Sequence, residues 1–206
     1  MSERRDELVD KALGYLLRNG VAGLSLRPLA KEIGTSARLL VYHFESKDGL
    51  IAAVMGEVQA RMRRSFAELE AAPGPRHAAG ALQAFWAWII RPQNLPYLRL
   101  LLEVQVLAIQ QPSRYASYLE GTSSGWLDLI ERSLPPLKAR RAVATLCVAV
   151  VDGLLLEYLS TGDRRRTTEA LRVFAALLVG DGAGNSGRGN TNAARAGRTR
   201  ASGKGA

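Results

Sequence analysis

The side chains best suited to binding chemistry are concentrated in one short stretch, GTSARLLVYHFESK, at positions 34–47. It carries a guanidinium, a phenol, an imidazole and an amine, groups that hydrogen-bond to phosphates and to base edges. On a helical wheel, residues 37–44 divide into an inward side of Ala37, Leu40, Val41 and Phe44 and an outward side of Arg38, Leu39, Tyr42 and His43. The pattern predicts a short helix anchored by its apolar side; an ordinary amphipathic surface helix is the alternative.

Capping residues bound this helix and the one before it. Gly34 can adopt a positive φ in a tight turn, and Thr35 or Ser36 can cap the helix that follows. Ser25 can cap a preceding short helix, LRPLAKEI, in which Pro28 is tolerated because it lies in the first turn. Two short helices joined by a glycine-containing turn are typical of a helix-turn-helix, whose second helix enters the DNA major groove.

Residues 4–54 resemble the DNA-binding domain of the TetR family of transcriptional regulators. The parts follow the family's order: a first helix ending in NG, then LSLRPLAKEIGTS, a recognition helix closing in YHF, and ESKDGLI opening the fourth helix. The resemblance implies phosphate contacts for Ser25, Arg27, Ser36, Tyr42, His43 and Lys47, and base contacts for Thr35, Ala37, Arg38 and Leu39. One departure concerns the tyrosine that most members carry three residues before Phe44: this chain has Val41 there and a tyrosine at 42.

The composition favours an anionic partner and a cytoplasmic location. A net charge of +9 on 206 residues and a pI of about 10.2 are typical of proteins that bind nucleic acid or an acidic membrane surface. Residues 181–206 hold five of the basic residues against one aspartate and lack large apolar side chains, which predicts a disordered basic tail. The acidic N-terminus, MSERRDELVD, does not fit a signal peptide, and charged residues interrupt the apolar runs, so no membrane span is expected.

Helical periodicity broken by proline and glycine covers most of the chain. It predicts an all-α fold of about nine helices, with a DNA-binding domain over residues 1–50 and a helical ligand-binding and dimerisation domain over residues 51–180. The predicted helices cover about 4–18, 26–33, 37–44, 47–72, 76–91, 94–110, 113–133, 136–160 and 166–179.

The last two predicted helices, about 136–160 and 166–179, are apolar around nearly their whole circumference. A helix of this kind needs cover on both sides, which a homodimer would supply; burial within the monomer is the alternative. The family resemblance implies a dimer through the same two helices. A charge at Leu155 or Leu178 is therefore expected to disrupt it.

Aromatic side chains gather in the middle helices, where an apolar cavity with few polar anchors would make use of them. The candidate ligand-binding residues are Phe66, Phe85, Trp86, Trp88, Glu103, Tyr118, Trp126 and Asp152. For each aromatic residue the alternative is ordinary core packing, and for Glu103 it is an ion pair with Arg99 on the helix surface. The expected effector is an apolar or aromatic small molecule of unknown identity.

No constellation typical of an enzyme, a metal site or a cofactor site is visible in the sequence. The histidines are His43 and His77, and the single cysteine, Cys147, lies in an apolar run and is expected to be an inert core thiol. The chain is predicted to be a DNA-binding repressor that a small molecule releases from a palindromic operator. A helical carrier or enzyme on the same scaffold is the rival. A carrier would have no use for an exposed Arg38, Tyr42 and His43 surface with Lys47, and an enzyme should show a polar constellation in the middle helices, which the sequence lacks.

Overall fold

The computed structural model describes residues 2–71, 78–113, 115, 127–128, 130–131 and 140–183, and within these ranges the chain forms eight α-helices and no strand. The helices are α1 (Ser2–Asn19), α2 (Leu26–Glu32), α3 (Ala37–Phe44), α4 (Lys47–Ala71), α5 (Ala78–Ile89), α6 (Leu95–Gln110), α7 (Arg140–Thr161) and α8 (Arg164–Ala183). The predicted all-α class is confirmed. The predicted helix over 113–133 and the predicted tail lie largely outside the described residues, and α8 continues three residues past the predicted boundary at 180.

The first three helices pack against the start of α4 through a common apolar core. Leu8 and Leu13 of α1 are fully buried against this core, as are Leu29 of α2 and Leu40 of α3. Burying each such side chain contributes roughly 1.5–3 kcal/mol, so the four helices hold one another in a fixed arrangement. The arginine Arg5 adds a cation–π contact from α1, with its guanidinium 5.1 Å from the ring centroid of Phe44 on α3.

The turn between α2 and α3 has the geometry that the sequence predicts. Gly34 has a φ of +71°, and the amide of Thr35 donates to the carbonyl of Ala30 at 2.9 Å. Ser36 is the N-cap of α3, because its hydroxyl accepts a hydrogen bond from the amide of Leu39 at 3.1 Å. Ser46 caps α4 in the same way through the amide of Gly49 at 3.0 Å.

Helix α4 belongs to both halves of the molecule. Its 25 residues span roughly 37 Å, from the end of α3 to the aromatic core formed with α5. Beyond it, α5 packs on α8, α8 packs on α7, and α6 contacts both α1 and α4. The buried side chain of Asn94 fixes the turn between α5 and α6 by donating to the carbonyl of Trp88 at 2.7 Å.

Helix α7 is long and apolar enough, by length and composition alone, to pass for a membrane span, contrary to the sequence expectation. Its most apolar stretch has a mean hydropathy of 1.9 but is only 22% buried. The core helix of a globular protein satisfies the same criterion. Cys147 is fully buried on the inner side of α7, as predicted, and this burial raises the pKa of its thiol.

An apolar surface on α7 and α8 remains uncovered in the single chain; we call it the α7/α8 face. Its members are Leu146, Leu156, Val173 and Leu177, each more than half exposed. The two positions expected from sequence to lie in a dimer seam are not among them. Leu155 is only 3% exposed, and Leu178 is half-buried against the core. On each helix the exposed leucine is the neighbour of the expected one: Leu156 instead of Leu155 on α7, and Leu177 instead of Leu178 on α8.

Candidate nucleic-acid interface and internal cavity

The exposed side of α3 carries Arg38, Val41 and Tyr42 at i, i+3 and i+4 spacing; we call it the α3 face. Tyr42 is 71% exposed and Val41 is 44% exposed, and Arg38 is also exposed. The outward position of Arg38 and Tyr42 agrees with the helical wheel, whereas the inward position predicted for Val41 is wrong. The buried edge is centred between Leu40 and Phe44, and Val41 lies about 80° from that centre at ~100° per residue.

Val41 is the residue of this surface that sequence reasoning missed. It occupies the position at which the resembling family carries a tyrosine, and that departure was the available signal. Its methyl groups are exposed at one edge of the α3 face, next to Arg38 and Tyr42, and an exposed apolar side chain can contact the methyl group of thymine.

Polar groups flank this surface at the starts of α2 and α4. Ser25 is exposed at the N-cap of α2, and its hydroxyl makes no capping hydrogen bond. The amine of Lys47 donates to the carbonyl of Leu24 at 3.3 Å, which brings it close to Ser25 in space, 22 residues away in sequence. Arg27 is exposed on the first turn of α2. These groups lie where unpaired helix amides and side chains favour an anion.

The remaining predicted DNA-contacting residues are less accessible. The hydroxyl oxygen of Thr35 is buried and has no hydrogen-bond partner, so a base contact by this hydroxyl would require rotation of its side chain. The imidazole of His43 is half-buried, with its ring centroid 5.2 Å from that of Tyr42. Ala37 and Leu39 are half-buried as well, and the hydroxyl of Ser36 is engaged in capping α3.

A cavity of about 390 Å³ opens between α5, α6 and α7. Its described lining is mostly aliphatic, and it includes Phe85 and Trp88 of α5, Gln105 of α6 and Asp152 of α7. Three of the predicted ligand-binding residues, Phe85, Trp88 and Asp152, therefore share one cavity. Tyr118 and Trp126 lie outside the described residues.

The other two predicted aromatic residues do not line this cavity. Phe66 of α4 packs behind the wall, with its ring centroid 5.3 Å from Phe85 and 5.4 Å from Trp88. Trp86 points to the other side of α5, where its indole N–H donates to the hydroxyl of Thr168 on α8 at 3.0 Å. Trp86 and Trp88 are separated by about 200° of helix rotation, so only one of them can face the cavity.

Asp152 is the carboxylate of the cavity. Asp152 is exposed in the single chain, yet the protein atoms around its carboxyl exclude enough water to raise the pKa of that carboxyl above the ordinary value. In the part of the chain that the structure describes, the carboxylate of Asp152 has no hydrogen-bond or ion-pair partner that would compensate for the lost solvation.

Glu103 is neither a cavity residue nor an ion-pair partner of Arg99, so both readings of its role from the sequence are wrong. Its Oε1 accepts hydrogen bonds from the amides of Val21, at 2.9 Å, and Ala22, at 2.6 Å. These amides follow the end of α1, at the turn toward α2. Gly20 makes the approach possible: its φ is +73°, and a Cβ there would lie 2.9 Å from Oε2 of Glu103. Glu103 therefore ties α6 directly to the unit formed by α1, α2, α3 and the start of α4, which we call the DNA-binding unit after the role that the sequence predicts for it.

Two further contacts connect α4 to its neighbours, one to α1 and one to α5. The guanidinium of Arg61 on α4 bonds to Glu57 at 2.7 Å and to Asp10 of α1 at 2.8 Å. These partners, Glu57 above all, raise the pKa of Arg61 further above its already high value. From the cavity wall, the indole N–H of Trp88 donates to the hydroxyl of Ser65 on α4 at 3.0 Å.

Comparison with known proteins gives a consistent result. Residues 8–54 match the model of the tetR family of bacterial regulatory proteins. The transcriptional regulator BetI of Paraburkholderia phytofirmans is 29% identical over 179 residues, which cover 82% of this chain and 89% of BetI. The nicotine-responsive transcriptional repressor HdnoR of Paenarthrobacter nicotinovorans is 26% identical over 167 residues, covering 76% and 84% of the two chains.

Among solved structures, the multidrug binding protein EbrR in complex with ethidium superimposes with a TM-score of 0.68 at 25% identity, covering 85% of this chain and 98% of EbrR. The agreement thus extends well beyond the helix-turn-helix into the helical remainder of the chain. The protein is a DNA-binding transcriptional regulator rather than an enzyme, and it belongs to the TetR family.

Proposed function

We propose that the protein is a homodimeric repressor that a small molecule releases from a palindromic operator. The observation that carries this proposal is the course of α4. It begins at Lys47 beside the α3 face, and further along it Ser65 accepts a hydrogen bond from Trp88 in the cavity wall. A ligand that displaces Trp88 therefore acts on the helix that orients the DNA-binding unit. HdnoR is described as nicotine-responsive, and EbrR has been crystallised with ethidium, which supports an effector in the cavity.

On the DNA side, α3 would enter the major groove. Arg38 is suited to a bidentate contact with guanine, and Val41 to a thymine methyl group. Thr35, Ala37 and Leu39 are further candidates for base contacts, Thr35 after rotation of its side chain. The proposed phosphate contacts are Ser25, Arg27, Ser36, Tyr42, His43 and Lys47.

A palindromic operator requires two copies of α3, which the α7/α8 face would bring together. Exposed leucine and valine side chains on two adjacent helices form an apolar surface of the kind that marks an interface. A two-fold dimer would present its recognition helices to major grooves about 34–36 Å apart. Since its target is chromosomal DNA, we propose that the protein acts in the cytoplasm.

The DNA contacts can be separated by a pair of substitutions. Arg38→Ala should relax discrimination between the operator and unrelated DNA by ~1–3 kcal/mol, because a bidentate base contact is lost. Lys47→Ala should weaken binding to all sequences alike and reduce the slope of log K against log salt by about one, because it removes a phosphate contact. Fluorescence anisotropy with operator and scrambled duplexes at several salt concentrations measures both. Unchanged discrimination in Arg38→Ala would contradict the proposed orientation of α3.

The ligand response can be tested by reciprocity, with nicotine as the first probe of a panel of small aromatic amines. An effector that weakens operator binding by ~5–150-fold must bind to the operator complex more weakly by the same factor. Calorimetric titration with and without operator duplex gives both dissociation constants. A compound with equal constants is not an effector, and if every compound that binds behaved in this way, the proposed regulation would be wrong.

A further inference from the structure

Some polar groups of the cavity lining already have hydrogen-bond partners within the protein, and others are available to a ligand. Asp152 is the only charged residue among the described lining side chains, and Gln105 and Thr145 supply the other polar groups. The hydroxyl of Thr145 already donates to the carbonyl of Arg141 on its own helix. The indole N–H of Trp88 is likewise engaged, by Ser65. Among the described lining residues, the cavity therefore offers a ligand one carboxylate, one amide, a hydroxyl oxygen that can still accept a hydrogen bond, and apolar walls.

The carboxylate of Asp152 lies in the cavity wall with part of its surface exposed, so it is only partly solvated there. An unpaired charge that is partly withdrawn from water loses solvation, and the raised pKa of this carboxyl reflects that loss. A neutral apolar ligand would displace the remaining water and increase the penalty. A cationic ligand would remove it, because opposite charges attract more strongly where the effective dielectric constant is low.

The aromatic part of the wall favours the same class of ligand. The rings of Phe85 and Trp88 lie in the cavity wall with centroids 5.7 Å apart and nearly parallel planes. Aromatic faces attract organic cations, and quaternary ammonium groups in particular, through the ring quadrupole. The volume of about 390 Å³ lies in the range of small-molecule sites.

We propose that the cavity selects small organic cations, an ammonium group attached to an apolar or aromatic body, and that Asp152 is the counter-ion. This inference rests on the proposal that the effector occupies the cavity, and it narrows the expected effector from apolar or aromatic molecules in general to cationic ones. Asp152 holds the ammonium group, and Phe85 and Trp88 hold the apolar body.

The test uses two molecules of the same shape that differ in charge, phenyltrimethylammonium and its neutral isostere tert-butylbenzene. Calorimetric titration of the full chain should show that the cation binds about 10- to 100-fold more tightly. In Asp152→Asn the two dissociation constants should become similar, mainly through weaker binding of the cation. Equal binding of both molecules by the unmodified protein, or an undiminished preference in Asp152→Asn, would overturn the inference.

A matched variant separates the cavity carboxylate from general electrostatics. Glu157 lies on the same helix, outside the cavity lining, and is ion-paired with Arg166 at the surface. Glu157→Gln removes the same charge and should keep the preference for the cation; its loss there would contradict the role of Asp152. Misfolding is checked by Tm: because burial raises the pKa of the Asp152 carboxyl, Asp152→Asn should not lower Tm at neutral pH.

Failure of this inference is distinguishable from failure of the proposed function. If the cation binds preferentially through Asp152 but leaves operator affinity unchanged, the ligand class is supported and the proposed regulation by that ligand is contradicted. If tert-butylbenzene binds as tightly as the cation and releases the operator, the proposed regulation is supported and the cation selectivity is wrong.

Discussion

Leu156→Arg, or equally Leu177→Arg, is expected to yield a monomer and to weaken operator binding by about 10²–10⁴-fold. Leu156 is 57% exposed and Leu177 is 64% exposed on the α7/α8 face, so an arginine is tolerated in the single chain but introduces an unpaired charge in the proposed dimer interface. Binding of the second recognition helix then loses the benefit of linkage to the first. Light scattering and operator titration measure the two effects.

A control for this experiment lies on α6. Ile109 is an exposed apolar residue of comparable size, but it is outside the α7/α8 face. Ile109→Arg should therefore stay dimeric and keep its operator affinity. If Ile109→Arg dissociated while Leu156→Arg and Leu177→Arg remained dimeric, the dimer interface would lie on α6 instead.

Glu103→Ala is expected to reduce the coupling between ligand and operator from the ~5–150-fold range toward no coupling. The substitution leaves the amides of Val21 and Ala22 without their acceptor, so α6 no longer holds the turn between α1 and α2. A hydrogen bond to a charged group contributes about 1.5–3 kcal/mol, and the free energy of unfolding should fall by an amount of that order. The coupling is read from operator affinity measured with and without a saturating effector.

Two variants identify which property of Glu103 matters. Glu103→Gln retains an oxygen that can accept both amide hydrogen bonds but removes the charge, so it should keep most of the coupling. Arg18→Ala breaks an exposed ion pair with Glu32 between α1 and α2, within the DNA-binding unit, and should leave the coupling unchanged. Full coupling in Glu103→Ala would mean that α4 alone connects the cavity to the DNA-binding unit.

The structural features that were predicted from sequence depend on local interactions. The ends of α3 are determined by Gly34 and the Ser36 cap, and both can be read from neighbouring residues. The existence of α4, with its apolar residues at regular helical spacing, is equally local. Because these signals involve residues within one or two turns of each other, the order of helices and the exposed position of Arg38 and Tyr42 could be inferred without the structure.

What was missed depends on contacts between distant parts of the chain. Glu103 bonds to backbone amides about 80 residues earlier, and a backbone amide has no side-chain signature that could reveal it as a partner. The choice between Trp86 and Trp88 as a cavity residue depends on which side of α5 is covered by α8. Val41 is exposed because α3 rests on its neighbours along the edge between Leu40 and Phe44, a rotation that eight residues alone do not specify.

Helix α7 separates the cavity from the α7/α8 face by the thickness of a single helix, with the adjacent residues Leu155 and Leu156 on opposite sides of that division. In the proposed dimer, α7 would therefore form a wall of each effector site and also part of the interface between the subunits. A change in this helix that adapts the cavity to another molecule also alters the surface through which subunits choose one another. Effector preference and partner choice would thus diverge together after gene duplication, which would help to keep duplicated regulators from forming mixed dimers.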